Sequence, residues 1–406
     1  MKLATRSDRQ VDPRLSGDPS RSPDRRGSQG RRRRFWVRRA GVVIVIFLLW
    51  LAWSIGGALM APGTDPTAAR LAEWARFHGL SGAVSALEQV QYRLDPPKVG
   101  GSLAAGIPAV SDARPTPSHS GGPATTTPAT TTPAGLVAIP VQAQPALPNE
   151  GSWQPLVTIH GEPAIQAAFL RPDAQHTSYL VGVASLDQKL VKMVLHPGSQ
   201  VPGGSGWAQP SDVPASERDS LLATFNSGFT MVNSNGGYWQ DGQSAGLLRS
   251  GAASMVLYKD GHVDVVSWDG SSPGPNVAAV RQNLDLLVND GTISANVDST
   301  TTKTWGKTVG NATYVWRSAL GIRKDGSLVF VVGNSMSVRT LANIVRDAGA
   351  VRAMELDINK AWTNFMTYTH PSAGVAAPHM LTNDEQPNPH RYLQPSTRDF
   401  VAVLPR

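Results

Sequence analysis

The sequence predicts an α+β fold, a mixed β-sheet domain with few helices, preceded by a single transmembrane helix and a Pro/Thr/Gly-rich linker. Three observations predict it. From Trp153 to Arg406 the chain is dense in short β-branched and aromatic runs broken by Gly, Pro, Asn and Asp. Few stretches of that region repeat at helical spacing, the clearest running from Val338 to Ala348. Far upstream, the run from Ala40 to Ala61 carries no charge and is close to the ~20 residues that cross a bilayer as a helix.

In chain order, residues 1–39 form a polar tail with Arg31 to Arg34 unbroken, too poor in apolar residues to bury a core and expected to be disordered. Residues 40–61 follow as the span. Positive charge lies before it, so the positive-inside rule puts the tail in the cytoplasm and the rest outside, a single-pass type II anchor. A cleaved signal would have a shorter apolar core, of about 7 to 15 residues.

The net charge of +7 follows this topology. The first 39 residues hold 13 Lys and Arg against 4 Asp and Glu, which is +9 and leaves about −2 for everything else. A near-neutral outer domain lacks the basic face that nucleic-acid binding needs, so no nucleic-acid partner is expected. The absence of cysteine excludes thiol catalysis, disulfides and cysteine-ligated zinc.

Beyond the span, residues 62–97 read as a helical hairpin. Asp65 is a cap before Pro66, Leu71, Trp74 and Ala75 continue an apolar stripe, and Ser81 opens a second helix in which Val84, Leu87, Val90 and Leu94 recur until Pro96 and Pro97 stop it. Residues 65–94 could lie on the membrane, pair with an envelope protein partner, or form a small packing module, the last being the plainest reading of a short hairpin. Residues 98–150 read as a linker, poor in large apolar side chains and extended by prolines. The folded domain is expected over 151–406, and the region before Trp153 to be dispensable for its folding.

Within that domain, Ala319 to Arg323 reads as a strand, Lys324-Asp325-Gly326 as a hairpin turn, and Leu328 to Val332 as the returning strand. A helix follows, with Ser337 as its cap and Gly349 free to take the left-handed conformation that closes it. The next strand, Ala353 to Ile358, alternates. Met354, Leu356 and Ile358 are expected to face the core, with Glu355 and Asp357 sharing the other face. A strand–helix–strand crossover is right-handed and makes its two strands parallel, so the helix start at Asn334 to Ser337 and the two carboxylates gather at one sheet edge. Ser335 and Ser337 are candidates to bind a phosphate at the helix N-terminus, and Glu355 and Asp357 to do acid and base work. Capping and solvated strand positions would produce the same pattern.

Two further motifs precede this unit: Asn226-Ser227-Gly228-Phe229 at the end of a strand, and Arg317-Ser318-Ala319-Leu320-Gly321. With Glu355-Leu356-Asp357 they make the chain, from about Ala164 to Leu404, resemble the phosphodiester glycosidase family. The resemblance implies hydrolysis of the bond between a sugar's anomeric carbon and a phosphodiester, with Glu355 and Asp357 catalytic and Asn226, Gly228 and Arg317 at the substrate. Arg317 could clamp a phosphate or pair with Asp357 across two strands, and Asn226 could bind a sugar hydroxyl or satisfy its own turn. Relatives carry a glycine-rich loop after the aspartate. Here Ile358-Asn359-Lys360-Ala361-Trp362 stands instead, so Asn359, Lys360 as a point charge and Trp362 as a stacking ring are expected to shape the pocket.

His370, His379 and His390 lack metal-ligand spacing, so no metal and no cofactor is expected. The expected function is an anchored extracytoplasmic hydrolase acting on a glycosyl-phosphate linkage of an envelope glycan or glycolipid. A catalytically reduced glycan-binding or scaffolding domain is the alternative, motivated by the missing glycine loop.

Overall fold

Short β-branched runs bounded by left-handed turn residues build the sheets of this chain as antiparallel ladders. The computed structural model describes residues 26–61, 63, 65–109, 136–299, 304–306, 313–385 and 388–406. Contacts divide it into two units, Met1–Ala58 and Leu59–Arg406. In the first, helix α1 (Arg26–Leu59) contains the stretch Trp36–Leu59, long and apolar enough to cross a membrane. The helix begins well before the span. The tail expected to be irregular through residue 39 is therefore helical from Arg26, because arginine costs little in a helix that an apolar segment already nucleates.

The second unit holds three sheets. The largest has eight strands in the order β1 (Gln154–Ile159), β2 (Glu162–Leu170), β3 (Val181–Leu186), β14 (Leu328–Met336), β13 (Val315–Arg323), β15 (Ala350–Asp357), β11 (Leu286–Asn289) and β12 (Thr292–Ile293). A second runs β7 (Gln243–Ala245), β6 (Tyr238–Gln240), β10 (Val277–Gln282), β8 (Ala253–Tyr258) and β9 (Val263–Ser267). The third runs β17 (Val375–Met380), β16 (Phe365–Ser372), β5 (Ala223–Asn226), β18 (Phe400–Pro405) and β4 (Val191–His196). Ladders within the sheets are antiparallel. Parallel pairing among the described residues is confined to two isolated bridges, Gly198 with Pro202 and Val201 with Arg398.

The crossover read from the sequence is present. Strands β14 and β15 both pair antiparallel with β13, so they run parallel to each other with β13 between them. Helix α5 (Val338–Asp347) joins them. Its Val338, Leu341, Ala342 and Val345 are buried with Ala319, Val329, Val331 and Ala353 in one apolar cluster. The opposite face of the sheet carries Leu320, Phe330, Met354 and Leu356, which pack with Phe225 and Phe365 from the third sheet. Both faces are covered. A short helix α4 (Met231–Ser234) follows β5.

The unit starts earlier than the sequence suggests. Ile139 and Ala143 are buried, and Glu150 receives Arg171 through Nη2 at 2.8 Å and through its backbone N–H at 2.9 Å, so 136–150 is part of the fold. Residues 110–135, the middle of the expected linker, lie outside the described residues. The hairpin forms as α2 (Thr67–Phe77) and α3 (Ser81–Leu94), joined by Arg76 to Glu88 at 2.5 Å. Pro66 and Leu80 occupy the two cap positions, neither with a side-chain cap. Asp65 has other work: it accepts from Thr397 at 2.6 Å and from Arg391 at 3.2 Å.

Candidate active site

The ends of β5, β13, β15 and β16 meet where the sequence placed its motifs. Asn226 closes β5 and donates through Nδ2 to Ser318 Oγ at 3.0 Å, while its Oδ1 accepts the backbone N–H of Asn364 at 3.2 Å. Both hydrogen bonds are buried, so Asn226 ties three strand ends together instead of merely completing its own turn. Gly228 follows because nothing larger fits. A Cβ there would stand 2.7 Å from the Asn283 side chain, which accepts from Phe229 N–H at 3.1 Å and donates to the Glu355 carbonyl at 3.2 Å. Asn283 lies between the recognised motifs and carried no sequence signal.

Glu355 and Asp357 are buried, 1 and 3 % exposed, not solvated strand residues. Simple alternation fails between them. Asp357 pairs with Ser318 and Glu355 with Ala319, so a register shift makes β15 spend one more residue than β13, and the shared face expected from the period of two is interrupted. The partners differ accordingly. Arg317 donates through Nη1 to Glu355 Oε1 at 2.5 Å, through Nε to the Met336 carbonyl at 2.8 Å and through Nη2 to the Thr313 carbonyl at 3.3 Å. The arginine therefore pairs with Glu355, not with Asp357. Asp357 Oδ1 instead accepts the N–H groups of Ile358 and Asn359 at 2.7 and 3.0 Å.

Burial raises both carboxyls. Glu355 is pushed up to about 7, because lost hydration and the nearby Asp357 charge outweigh Arg317, and because Oε2 is buried with no hydrogen-bond partner. Asp357 is pushed up to about 6 by burial and by Glu73, against the pull of Arg398 and its two backbone donors. A carboxyl held above its ordinary value favours the protonated fold. Its contribution to stability is complete below about 4 and fades as pH rises through the folded values, here from about 4.5 to 7 for Glu355. Glu355→Gln is expected to remove up to about 3 kcal/mol of that fall, at 1.36 kcal/mol per unit. Urea unfolding at pH 5 and pH 8 measures it, and an unchanged difference between the two pH values would refute the assignment. Glu385, pushed up to about 8 by burial, supplies a separate fall that should persist.

The remaining predicted residues are placed less directly. Ser337 caps α5, its Oγ accepting Thr340 N–H at 3.0 Å, and Ser335 is buried at φ 56° with its N–H on Asn334 Oδ1 at 2.7 Å. Asn359 closes a turn, accepting Ala361 N–H at 2.9 Å through Oδ1. Lys360 is exposed, its Nζ 5.8 Å from the Trp316 ring. Trp362 is buried and already stacked, with the guanidinium carbons of Arg391 and Arg398 at 4.7 and 4.5 Å from its ring centre.

Arg398 itself was not foreseen. Its Nε donates to Glu73 of α2 at 2.9 Å, and its Nη1 is buried with no hydrogen-bond partner. Together the group offers two carboxyls of raised proton affinity, an arginine fixed on one of them, a second arginine whose charge acts on the other, and amides binding the strand ends. Among the described residues no cluster of three His, Cys, Asp or Glu could hold a metal ion.

Residues 219–357, a third of the chain, match the model of the family described as phosphodiester glycosidase. That span begins just before β5 and ends with the last residue of β15. Among solved structures, the chain is similar to the catalytic domain of zebrafish N-acetylglucosamine-1-phosphodiester alpha-N-acetylglucosaminidase, at 19 % identity and a TM-score of 0.39, covering 62 % of this chain and 87 % of that one. It is also similar to a hypothetical protein from Synechocystis, at 13 % identity and a TM-score of 0.34, covering 61 and 63 % of the two chains. No curated protein matches significantly.

Proposed function

We propose that the unit from 136 to 406 is a hydrolase of glycosyl-phosphodiester bonds, held outside the cell by α1 and acting on an envelope glycan or glycolipid. One observation carries the reading: two buried carboxyls within the stretch that matches the family, each displaced toward neutrality, one ion-paired with Arg317 and the other under the charge of Arg398. Asp357, whose Oδ1 accepts two backbone N–H groups that favour its charged form, serves as base or nucleophile at the anomeric carbon. Glu355, raised by burial, can donate a proton through the unpaired Oε2, while Arg317 fixes the carboxyl by Oε1. Water adds to the anomeric carbon and the leaving group is a phosphate monoester, whose negative charge is spread over its oxygens, so a cation at the departing oxygens matters alongside the proton donor. Arg398 is the residue for that role. Its planar fork suits a phosphate, and its free Nη1 gives a donor to offer.

The assignment predicts a bell-shaped dependence of kcat/KM on pH, rising as the pair gives up its first proton near 6 and falling as it gives up its second near 7. Release of reducing sugar from a sugar-1-phosphodiester, followed from pH 4.5 to 9, tests activity and profile together. No release at any pH would remove the enzyme reading. A non-catalytic glycan-binding role is the second reading, favoured by the Ile358 to Trp362 segment, where Trp362 lies against two arginines in place of an open glycine loop. Retained binding of envelope glycans without turnover would support it.

A further inference from the structure

Most of the large apolar side chains exposed after Met60 fall between Leu71 and Val99, in and around the α2–α3 hairpin. On α3, Leu87, Val90 and Leu94 recur at i, i+3 and i+7, which is one helical stripe, and they are 71, 52 and 80 % exposed. Phe77 and Leu80 extend the patch through the turn between the helices. The hairpin's other contacts face the domain: Asp65 and Glu73 reach Arg391 and Arg398, Val84 is buried, and Lys98 N–H donates to Tyr179 Oη at 3.0 Å. The apolar stripe is what this docking leaves outside.

Its covering is indicated by what Arg70 does. That side chain gathers the carbonyls of Leu59, Ala61, Gly63 and Asp65, so the root of the hairpin is fastened to the last residue of α1 and to the residues that follow it. An apolar patch on a hairpin that follows, only a few residues of chain later, an apolar helix long enough to cross a membrane meets the bilayer interface first. Around Leu94 the exposed charges are Arg93, Asp95 and Lys98, a basic excess of the kind found on helices lying among headgroups.

We propose that the outer face of the α2–α3 hairpin, carried by Phe77, Leu80, Leu87, Val90 and Leu94, seats in the headgroup–acyl boundary of the membrane that α1 crosses. The inference rests on α1 being an anchor and is independent of the enzymatic reading. Because the chain has no cysteine, single probes can be introduced into the full-length protein. Trp50→Cys, Leu87→Cys, Leu94→Cys and Leu247→Cys are each labelled with an environment-sensitive fluorophore and reconstituted into phosphatidylcholine–phosphatidylglycerol vesicles, with and without nitroxide-labelled lipid. Probes at 87 and 94 should emit to the blue and be quenched by nitroxide lipid, as the probe at 50 is, while the probe at exposed Leu247 shows neither effect. If 87 and 94 behave like 247 while 50 is quenched, the seating is wrong and the anchor stands. Blue-shifted emission at 87 and 94 that lipid does not quench would mean a protein covers the stripe, and also overturns the proposal. An unquenched probe at 50 removes the anchor and the inference with it.

Discussion

Asp357→Asn is expected to lower turnover of a sugar-1-phosphodiester by about 10²- to 10⁴-fold, the range that positioned acid–base groups supply, and by more if Asp357 is the nucleophile. Folding should survive the change. The amide keeps an oxygen where Oδ1 accepts the N–H groups of Ile358 and Asn359, and burying a neutral group relieves the desolvation that lifts the acid's pKa. The thermal midpoint should therefore stay level or rise. Rates and melts measured on the same preparation separate the two effects. Turnover that persists in both Asp357→Asn and Glu355→Gln would place the chemistry elsewhere in the domain, even with the family match intact.

The second large effect is on stability. Arg281 of β10 and Asp399 are both fully buried and paired, and Arg281 also donates to the carbonyls of Phe229 and Gln282. One guanidinium thus anchors the turn that carries Gly228 to the start of β18. Arg281→Met removes it and leaves Asp399 as an unpaired buried charge, a loss of roughly 3–5 kcal/mol. For a domain of this size that is a fall in Tm of about 6–20 °C. Calorimetry on the single variant and on Arg281→Met with Asp399→Leu gives the check. The double variant should recover much of the loss, because both charges are then gone. A single variant that melts within 2 °C or so of the parent would mean water reaches Asp399 and the pair is not dry.

How far the sequence disclosed this site depends on the distance over which each piece is determined. The β13-turn-β14-α5-β15 unit was legible because its signals are local: Asp325-Gly326 for the turn, Ser337 for the cap, the Val338-Leu341-Ala342-Val345 stripe for the buried face, and Gly349, at φ 96°, for the end of the helix. The parallel direction of β14 and β15 then follows from the crossover, whereas the place of β13 between them shows only in the structure. The register shift at Glu355 and Asp357 was not legible, since a period of two read along one strand carries no information about its neighbour's register. The partners were hidden for the same reason. Arg398 and Glu73 meet across more than three hundred residues, Asn283 reaches Glu355 from between two motifs, and Arg281 looks in sequence like any strand arginine. Long-range polar contacts of this kind depend on which ends the fold brings together, and no local pattern encodes them.

The Glu73–Arg398 contact has a consequence for how the domain must be handled in isolation. Glu73 holds the proton affinity of Asp357 up, and Arg398 draws it down. A fragment beginning near residue 150 would lack Glu73 and Asp65, leaving Arg398 and Arg391 without the carboxylates they now meet. Asp357 would then sit beside a less neutralised cation and lose its proton at lower pH, moving the acid limb of any rate profile downward. The working pH of this site is therefore a property of the whole chain beyond α1, and a trimmed domain would report the acidity of a different molecule.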